Sequence, residues 1–215
     1  GGQSDWIVGT FARDHGASSP ARQVASAKSW LCHGGINREA AILPQGHSLP
    51  QGLSPVDAAE RLLAHIRDAW NFAHPQAPLE EQSLVVTVPA SFDPVARELT
   101  GRAIRRVGFQ RVTLLEEPQA ALYAWLYSAG EGWREQVQPG DEILVCDVGG
   151  GTSDFSLIQV KDVDGQVGLE RVAVGEHILL GGDNMDIALA HVAGRRLSES
   201  GEPVDPWQQR ELWHR

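Results

Sequence analysis

The sequence predicts an α/β protein in which mixed β-sheets are flanked by helices. Between residues 83 and 129, apolar β-branched runs alternate with segments of helical periodicity, an order that implies right-handed crossovers and parallel strand pairing. Between residues 143 and 175, three apolar runs are joined by short turns, an order that implies antiparallel hairpins.

The first 53 residues are expected to contain one short strand and one helix. WIVG (6–9) has the composition of a strand, and VASAKSWLC (24–32) places Val24, Ala27 and Leu31 on one side of a helix. A loop rich in Gly, Pro, His and Gln follows, from Pro44 to Ser54.

A long helix is predicted to begin at Pro55. Its apolar residues recur at spacings of three and four, as in a helix that buries one face. Ser54 suits the N-cap because its hydroxyl oxygen can accept a bond from a free amide of the first turn, and proline suits the first helical position.

Next come two strands, each followed by a helix. SLVVTVP (83–89) is predicted to be a buried strand, and VTLLE (112–116) is a second strand. The helix between them runs from Pro94 to Val107 and ends at Gly108. Its inward residues are expected to be Val95, Leu99, Ala103 and Val107. Another helix begins at Pro118, with Ala121, Leu122, Trp125 and Leu126 on its apolar face.

The remainder is predicted to form three strands and a helix. The strands are 143–147, 155–160 and 167–175, and a glycine turn leads into a helix over 181–197, with Asp183 near its start. The polar stretch 130–141 is interpreted as a connector. The predicted units are therefore 1–53, 54–137, 138–180 and 181–215.

Composition narrows the range of partners and settings. The formal net charge of −10 argues against a nucleic acid or an anionic membrane as the main partner, because both require clustered Lys and Arg. Cys32 and Cys146 lie far apart and form no metal-binding pattern, which indicates a reduced, cytoplasmic setting. The chain begins without Met and stops within a predicted helix (205–215), so we expect a fragment that is incomplete at both ends.

The segment DVGGGTSD (147–154) carries the strongest chemical signal. One glycine is sufficient for a tight turn, whereas three followed by Thr152 present consecutive backbone N–H groups that can surround a phosphate. Asp147 and Asp154 flank the turn, where carboxylates can hold magnesium through its water shell. The pattern differs from both GxxxxGK[ST] and GxGxxG. A purely structural turn remains the alternative.

DVGGGTSDFSL resembles the second phosphate motif of the DnaK, or 70-kilodalton heat-shock, chaperone family, a branch of the actin and sugar-kinase ATPases. Residues 24–31, 86–126 and 179–189 also resemble segments of that family, in the same order. The resemblance implies an actin-like (RNase H-like) fold of two lobes that meet near residue 137. It also implies ATP or ADP and Mg in the cleft between the lobes, with peptide clients and co-chaperones as partners of the parent protein.

The resemblance also assigns roles to individual residues. Lys28 matches the lysine that contacts the γ-phosphate, and Glu117 matches the acidic residue that holds magnesium-bound water. Asp147 matches a carboxylate near the metal and the attacking water. The other matches are Gly149, Gly150, Gly151 and Thr152 (the phosphate cradle), Asp154 (a second carboxylate at the metal), Gly181 and Gly182 (a turn beside the ribose and phosphates), and Pro89 and Arg97 (a relay to the peptide-binding domain).

Several roles have a simpler structural alternative: Lys28 as a solvated helix lysine, Glu117 as a favourable charge in a first helical turn, and Asp154 as a strand-surface residue. The alternatives for the others are a helix-start turn without contacts (Gly181 and Gly182), a strand-ending proline (Pro89) and an exposed helix arginine (Arg97). The chain departs from the family at Glu116 and Gln119, where the family usually has Asn and Thr. An additional carboxylate at residue 116 is expected to shift the metal affinity, which leaves the fine geometry of the metal site open.

Three functions remain open. The first is part of an ATP-hydrolysing chaperone domain. The alternatives are a degenerate relative that senses nucleotide or binds proteins without hydrolysis, and a small-molecule kinase of the same superfamily. Because the first phosphate motif and the adenosine-contacting helix are expected to lie outside the chain, we expect it alone to bind nucleotide weakly and to hydrolyse ATP poorly. Missing strands would expose sheet edges and favour self-association.

Overall fold

The computed structural model describes residues 6–16, 19–44, 52–175, 178–201, 204–205 and 208. The helices within these ranges are α1 (Thr10–Gly16), α2 (Ala27–Cys32), α3 (Pro55–Ala73), α4 (Pro94–Val107), α5 (Glu117–Ala129), α6 (Trp133–Gln136) and α7 (Gly182–Glu199). The strands are β1 (Ser83–Val88), β2 (Arg111–Glu116), β3 (Glu142–Val148), β4 (Ser153–Val163) and β5 (Gln166–Val174). The predicted α/β class is therefore confirmed.

The strands form two sheets of different type. β1 and β2 pair in parallel, from Ser83 opposite Arg111 to Val88 opposite Glu116. β3, β4 and β5 form an antiparallel sheet in that order. Both predicted pairing types are present, but each sheet in the described residues contains only one type, so neither is the mixed sheet that was predicted. We call the described residues up to 136 the N-terminal half and those from 138 onwards the C-terminal half.

Helix ends in the N-terminal half follow the predicted signals. Ser54 Oγ accepts a bond from the backbone N–H of Asp57 at 3.0 Å, and the Asp57 carboxylate accepts from the backbone N–H of Ser54 at 3.3 Å, so the two residues form a capping box in front of Pro55. Gly108 ends α4 with φ of 100°, a left-handed conformation that favours glycine.

The main core lies between α2, α3, α4 and β1. Leu99, Ala103 and Val107 of α4 are buried as predicted, but Val95 is 56% exposed. Val95 was wrongly placed because the buried face of α4 begins at Ala96, one residue and therefore about 100° further round the helix.

Three other predictions require correction. Residues 6–8 form no strand, and α1 begins at Thr10. α2 begins only at Ala27, because Ser26 has a left-handed φ of 53° that a helix cannot contain. β1 is not buried on both faces: Val85 is 63% exposed, whereas Leu84 on the opposite face packs on the core. The predicted helix over 205–215 lies outside the described residues, apart from 205 and 208.

α5 joins the two halves. It contacts β1 and β2 of the parallel sheet and also β3 and β4 of the antiparallel sheet. Its sequence is mostly apolar, yet Pro118 is its only buried residue and Tyr127 is 91% exposed. Glu117 is the first residue of α5 and follows β2 directly.

Candidate phosphate-binding site

The glycine loop connects β3 to β4. The backbone N–H of Gly149 donates to the carbonyl of Thr152 at 2.8 Å and closes the turn. Within the described part of the chain, the N–H groups of Gly150, Gly151 and Thr152 have no acceptor. Consecutive free N–H groups in a turn form a concavity suited to an anion such as a phosphate oxygen.

The start of α7 supports this loop from behind. The N–H groups of Gly182 and Asp183 donate to the carbonyls of Gly149 and Gly150, at 2.9 and 2.7 Å. A Cβ atom on Gly181 would lie 2.4 Å from the carbonyl oxygen of Gly149. Gly181 therefore has to be glycine for close packing on the loop, whatever contact it makes with a nucleotide.

Lys28 and Glu117 form an ion pair beside the loop. Lys28 Nζ donates to Glu117 Oε1 at 2.6 Å, with the lysine side chain 52% and the glutamate side chain 17% exposed. α2 reaches the loop at the next residue, because a Cβ atom on Gly151 would lie 2.5 Å from Ser29 Oγ. The structure thus brings together two residues that are 89 positions apart in the sequence.

Asp147 and Asp154 lie opposite each other across β3 and β4. Residues in register share one face of a sheet, and two like charges in such a pair are unfavourable unless another group compensates. Asp154 is buried and accepts a 2.6 Å bond from Ser91 Oγ of the N-terminal half, while Asp147 is half-buried. Thr152, between them in the loop, is also buried.

A metal cage made only of side chains is not found in the described ranges, where no three His, Cys, Asp or Glu side chains form a metal-binding cluster. The paired carboxylates fit an ion that keeps most of its ligands as water and phosphate oxygens, as magnesium does. The predicted water-mediated site at Asp147, Glu117 and Asp154 stays a prediction.

Cys32 lies in the same region. Burial raises the pKa of its thiol to about 12; the Lys28 ammonium works against this rise, and the Asp154 carboxylate adds to it. The Cys32 thiol donates to the carbonyl of Lys28 at 3.5 Å, one helical turn away. The Cys32 thiol is therefore desolvated, although the Lys28 side chain one turn away is half-exposed.

A cavity of about 460 Å³ opens between α2 and α7 next to the glycine loop. Ser26, Ser29, Gly151 and Asp183 form part of its wall. Ser26 Oγ donates to Asp183 Oδ2 at 3.2 Å, so the N-terminal and C-terminal halves are hydrogen-bonded here as well as at Ser91 and Asp154.

Arg97 bonds to Glu116 and not to the loop. Its Nη2 donates to Glu116 Oε1 at 2.6 Å, and Arg171 Nη1 bonds to Glu116 Oε2. Pro89 is fully buried directly after β1. Both oxygens of the unusual Glu116 carboxylate therefore bond to arginines.

Comparison with known proteins decides the family. The family model described as Hsp70 protein matches residues 46–215. This chain belongs to the Hsp70 family. Curated Hsp70 relatives include the chaperone protein HscA of Xenorhabdus nematophila (32% identical, covering 88% of this chain and 30% of the relative) and of Salmonella newport (32%, 98% and 34%). The HscA homolog of Pseudomonas paraeruginosa is 33% identical over 95% of this chain and 33% of its own length.

The Hsp70 resemblance predicted from the motifs is thus confirmed, and the chain spans about a third of the length of these relatives. Lys28 precedes the part matched by the Hsp70 model but falls within the 98% matched by the Salmonella relative. In the described part of this Hsp70 chain, no helix is long and apolar enough to cross a membrane.

Sequence reasoning missed several side chains of the Hsp70 site region. Cys32 follows Lys28 by one helical turn, and this spacing was a usable signal. Ser26, Ser91 and Arg171 gave no signal, because their partners lie at least 55 residues away in the chain.

Proposed function

We propose that this chain is the phosphate-holding part of the ATP-binding and ATP-hydrolysing domain of a DnaK-like chaperone. Its main support is the glycine loop with its free N–H groups, which α2 approaches at Ser29, the residue after the Lys28 that pairs with Glu117. In this proposal residues 1–137 belong to lobe I of an actin-like fold, with 1–53 as its upper part. Residues 138–180 form the core of lobe II, 181–215 begin its upper part, and ATP or ADP lies between the lobes.

Phosphate binding follows from the free donors of the site. The N–H groups of Gly150, Gly151 and Thr152 hold phosphate oxygens, and the α7 start fixes the loop so that these donors need not reorganise. Lys28 is half-exposed and changes partner from Glu117 towards the γ-phosphate, where its charge offsets the charge that develops during transfer.

Asp147, Glu117 and Asp154 hold magnesium through water ligands in this proposal. When bound, magnesium neutralises phosphate charge and fixes the phosphate conformation. Asp147 and Glu117 orient a water molecule for in-line attack on the γ-phosphorus, and the water proton passes to a carboxylate or to phosphate. The protein forms no covalent intermediate, so catalysis rests on positioning and electrostatics.

Other parts of the proposal concern the parent protein. Pro89 and Arg97 transmit nucleotide state to a peptide-binding domain, and peptide clients and co-chaperones bind elsewhere in the parent. A cytoplasmic setting fits the two cysteines, which are both free thiols. Exposed apolar residues such as Val85 and Leu144 support self-association of the chain by itself.

The test measures phosphate release from MgATP by this chain placed within a complete HscA-like protein. Lys28→Ala is compared with Lys161→Ala, which removes the chain's other lysine, a residue of β4 that pairs with Glu170. We expect slow hydrolysis that is lost in Lys28→Ala and kept in Lys161→Ala. Equal loss in both variants, or none in either, would contradict the assigned role of Lys28.

Folded protein that binds ATP but releases no phosphate would instead favour the non-hydrolysing nucleotide sensor. Phosphate transfer to a small-molecule acceptor rather than to water would favour the kinase. The 215-residue chain alone is expected to bind MgATP weakly, and micromolar affinity in calorimetry would contradict that expectation.

A further inference from the structure

One carboxylate joins two arginines from different halves of the chain. Glu116 accepts from Arg97 of α4 through Oε1, at 2.6 Å, and from Arg171 of β5 through Oε2. The Glu116 side chain is 17% exposed, and each arginine side chain is about one third exposed. We call these three residues the arginine clasp.

Local backbone structure directs Glu116 towards the clasp. Glu116 ends β2 and occupies the N-cap position of α5, but its side chain makes no capping bond. An N-cap side chain normally satisfies a free N–H of the first turn. Here both carboxylate oxygens bond to guanidinium groups instead.

A β-bulge in β5 determines which face of the sheet carries the Arg171 side chain. Leu157 pairs with Ala173 and Ile158 pairs with Arg171, which leaves Val172 as an extra residue. An extra residue reverses the alternation of side chains beyond it. Arg171 therefore shares a face with the buried Ile158.

The charge balance of the clasp makes Glu116 its essential member. Without the Glu116 carboxylate, two guanidinium groups that approach one point would repel each other across the boundary between the halves. Loss of Arg171 alone leaves the Arg97–Glu116 pair intact inside the N-terminal half. Glu116 thus both attracts β5 and screens the repulsion between the arginines.

The clasp is joined directly to the candidate phosphate site. Glu116 precedes Glu117, whose carboxylate accepts from Lys28 at 2.6 Å. A displacement of β5 relative to α5 therefore acts on the peptide unit that carries Glu117. We propose that Glu116 is a positioning residue: the arginine clasp fixes the C-terminal half against the first turn of α5 and so holds Glu117 against Lys28. The inference rests on the proposed function only for the roles of Lys28 and Glu117 in binding the nucleotide.

The test measures the distance between the halves without nucleotide, so its outcome is independent of ATP binding. Spin labels are attached to His65→Cys on α3 and Ala188→Cys on α7, both exposed, in a Cys32→Ala, Cys146→Ser background of the 215-residue chain. Double electron–electron resonance then gives the distribution of distances. Hydrogen exchange of residues 121–124 reports on the first hydrogen-bonded turn of α5.

We expect Glu116→Gln and Arg171→Gln to widen the distance distribution about twofold and to speed exchange at 121–124 about tenfold, because bonds between charged groups are the stronger ones. Arg171→Lys keeps the charge and one donor and should restore most of the narrow distribution. Glu98→Gln is the matched control, since it removes the exposed 3.4 Å pair with Arg105 on α4.

Two results would overturn the proposal. The first is a distribution for Glu116→Gln no wider than that for Glu98→Gln. The second is an Arg171→Gln variant with an unchanged distance distribution and unchanged hydrogen exchange, which would show that Glu116 makes only a local contact with Arg97. If Glu116→Gln does not fold, the comparison of Arg171→Gln with Arg171→Lys decides, because both keep the Arg97–Glu116 pair.

Discussion

Substitution of Asp93 should loosen the helix that carries Lys28, although Asp93 lies outside the phosphate site. Both Asp93 carboxylate oxygens accept from Arg38, at 2.7 and 2.8 Å, and Oδ1 also accepts from the N–H of Ala96 as the N-cap of α4. Arg38 in turn donates to the carbonyls of Cys32 and His33 at the end of α2. Asp93 thus anchors the C-terminal end of α2 through Arg38.

The contribution of the Asp93 carboxylate to the free energy of unfolding follows from its pKa. The Arg38 hydrogen bonds lower this pKa from 3.8 to about 2, with a smaller contribution from the N–H of Ala96. At ~1.36 kcal/mol per pKa unit, the difference corresponds to at most about 2.4 kcal/mol. The Asp93 side chain is 46% exposed, so solvent screening reduces the figure to about 1 kcal/mol. Arg38 is only 8% exposed and loses its counter-charge, which adds to the loss.

We expect Asp93→Asn to lower the free energy of unfolding by about 1–2 kcal/mol at neutral pH, and Asp93→Ala by about 1 kcal/mol more because it also removes the N-cap. The carboxylate has a lowered pKa in the folded state, so its contribution is present above about pH 4 and is lost as the pH falls towards 2. Asp93→Asn should lack that part of the acid dependence.

Urea denaturation followed by circular dichroism, from pH 7 to pH 2, measures both effects. Glu98→Gln again serves as a control, since it removes an exposed carboxylate of the same helix. An Asp93→Asn variant with unchanged stability and unchanged acid dependence would refute the reasoning.

Two further predictions concern the glycine support and the buried thiol. Gly181→Ala should lower the free energy of unfolding by about 1–3 kcal/mol, because its Cβ would lie 2.4 Å from the Gly149 carbonyl, whereas Gly132→Ala, with nothing within 4 Å, should have little effect. Urea denaturation of both variants checks this, and equal stability would contradict it. Iodoacetamide at pH 8 should modify the exposed Cys146 and leave Cys32 largely unmodified, because a pKa of about 12 leaves about one thiolate in ten thousand. Peptide mass spectrometry measures both sites, and similar rates of modification would show that the Cys32 thiol is not desolvated.

Local patterns predicted most of the helices and strands, because they act over distances of two to four residues. Ser54 followed by Pro55, and Gly108 after a periodic run, are signals of this kind, and the structure places helix ends at them. WIVG (6–9) failed because four apolar residues form a strand only when a neighbouring strand is available, and in the described ranges residues 6–8 have none. Val85 was predicted to be buried from its composition, but exposure depends on which elements cover each face of the sheet.

Glu116 shows why the bonding partners of individual side chains could not be predicted from the sequence. Its position beside Glu117 suggested an additional carboxylate that shifts the metal affinity of the site, and this stays a prediction. Backbone geometry separates the two residues: Glu116 still has the extended conformation of β2, and Glu117 is the first residue of α5. The two side chains therefore reach different partners, two arginines for Glu116 and Lys28 for Glu117. One of those partners, Arg171, is 55 residues away and is turned towards Glu116 by a bulge that no local pattern predicts. The effect of an unusual residue thus depends on the element that packs against it, and for Glu116 that element belongs to the other half of the chain.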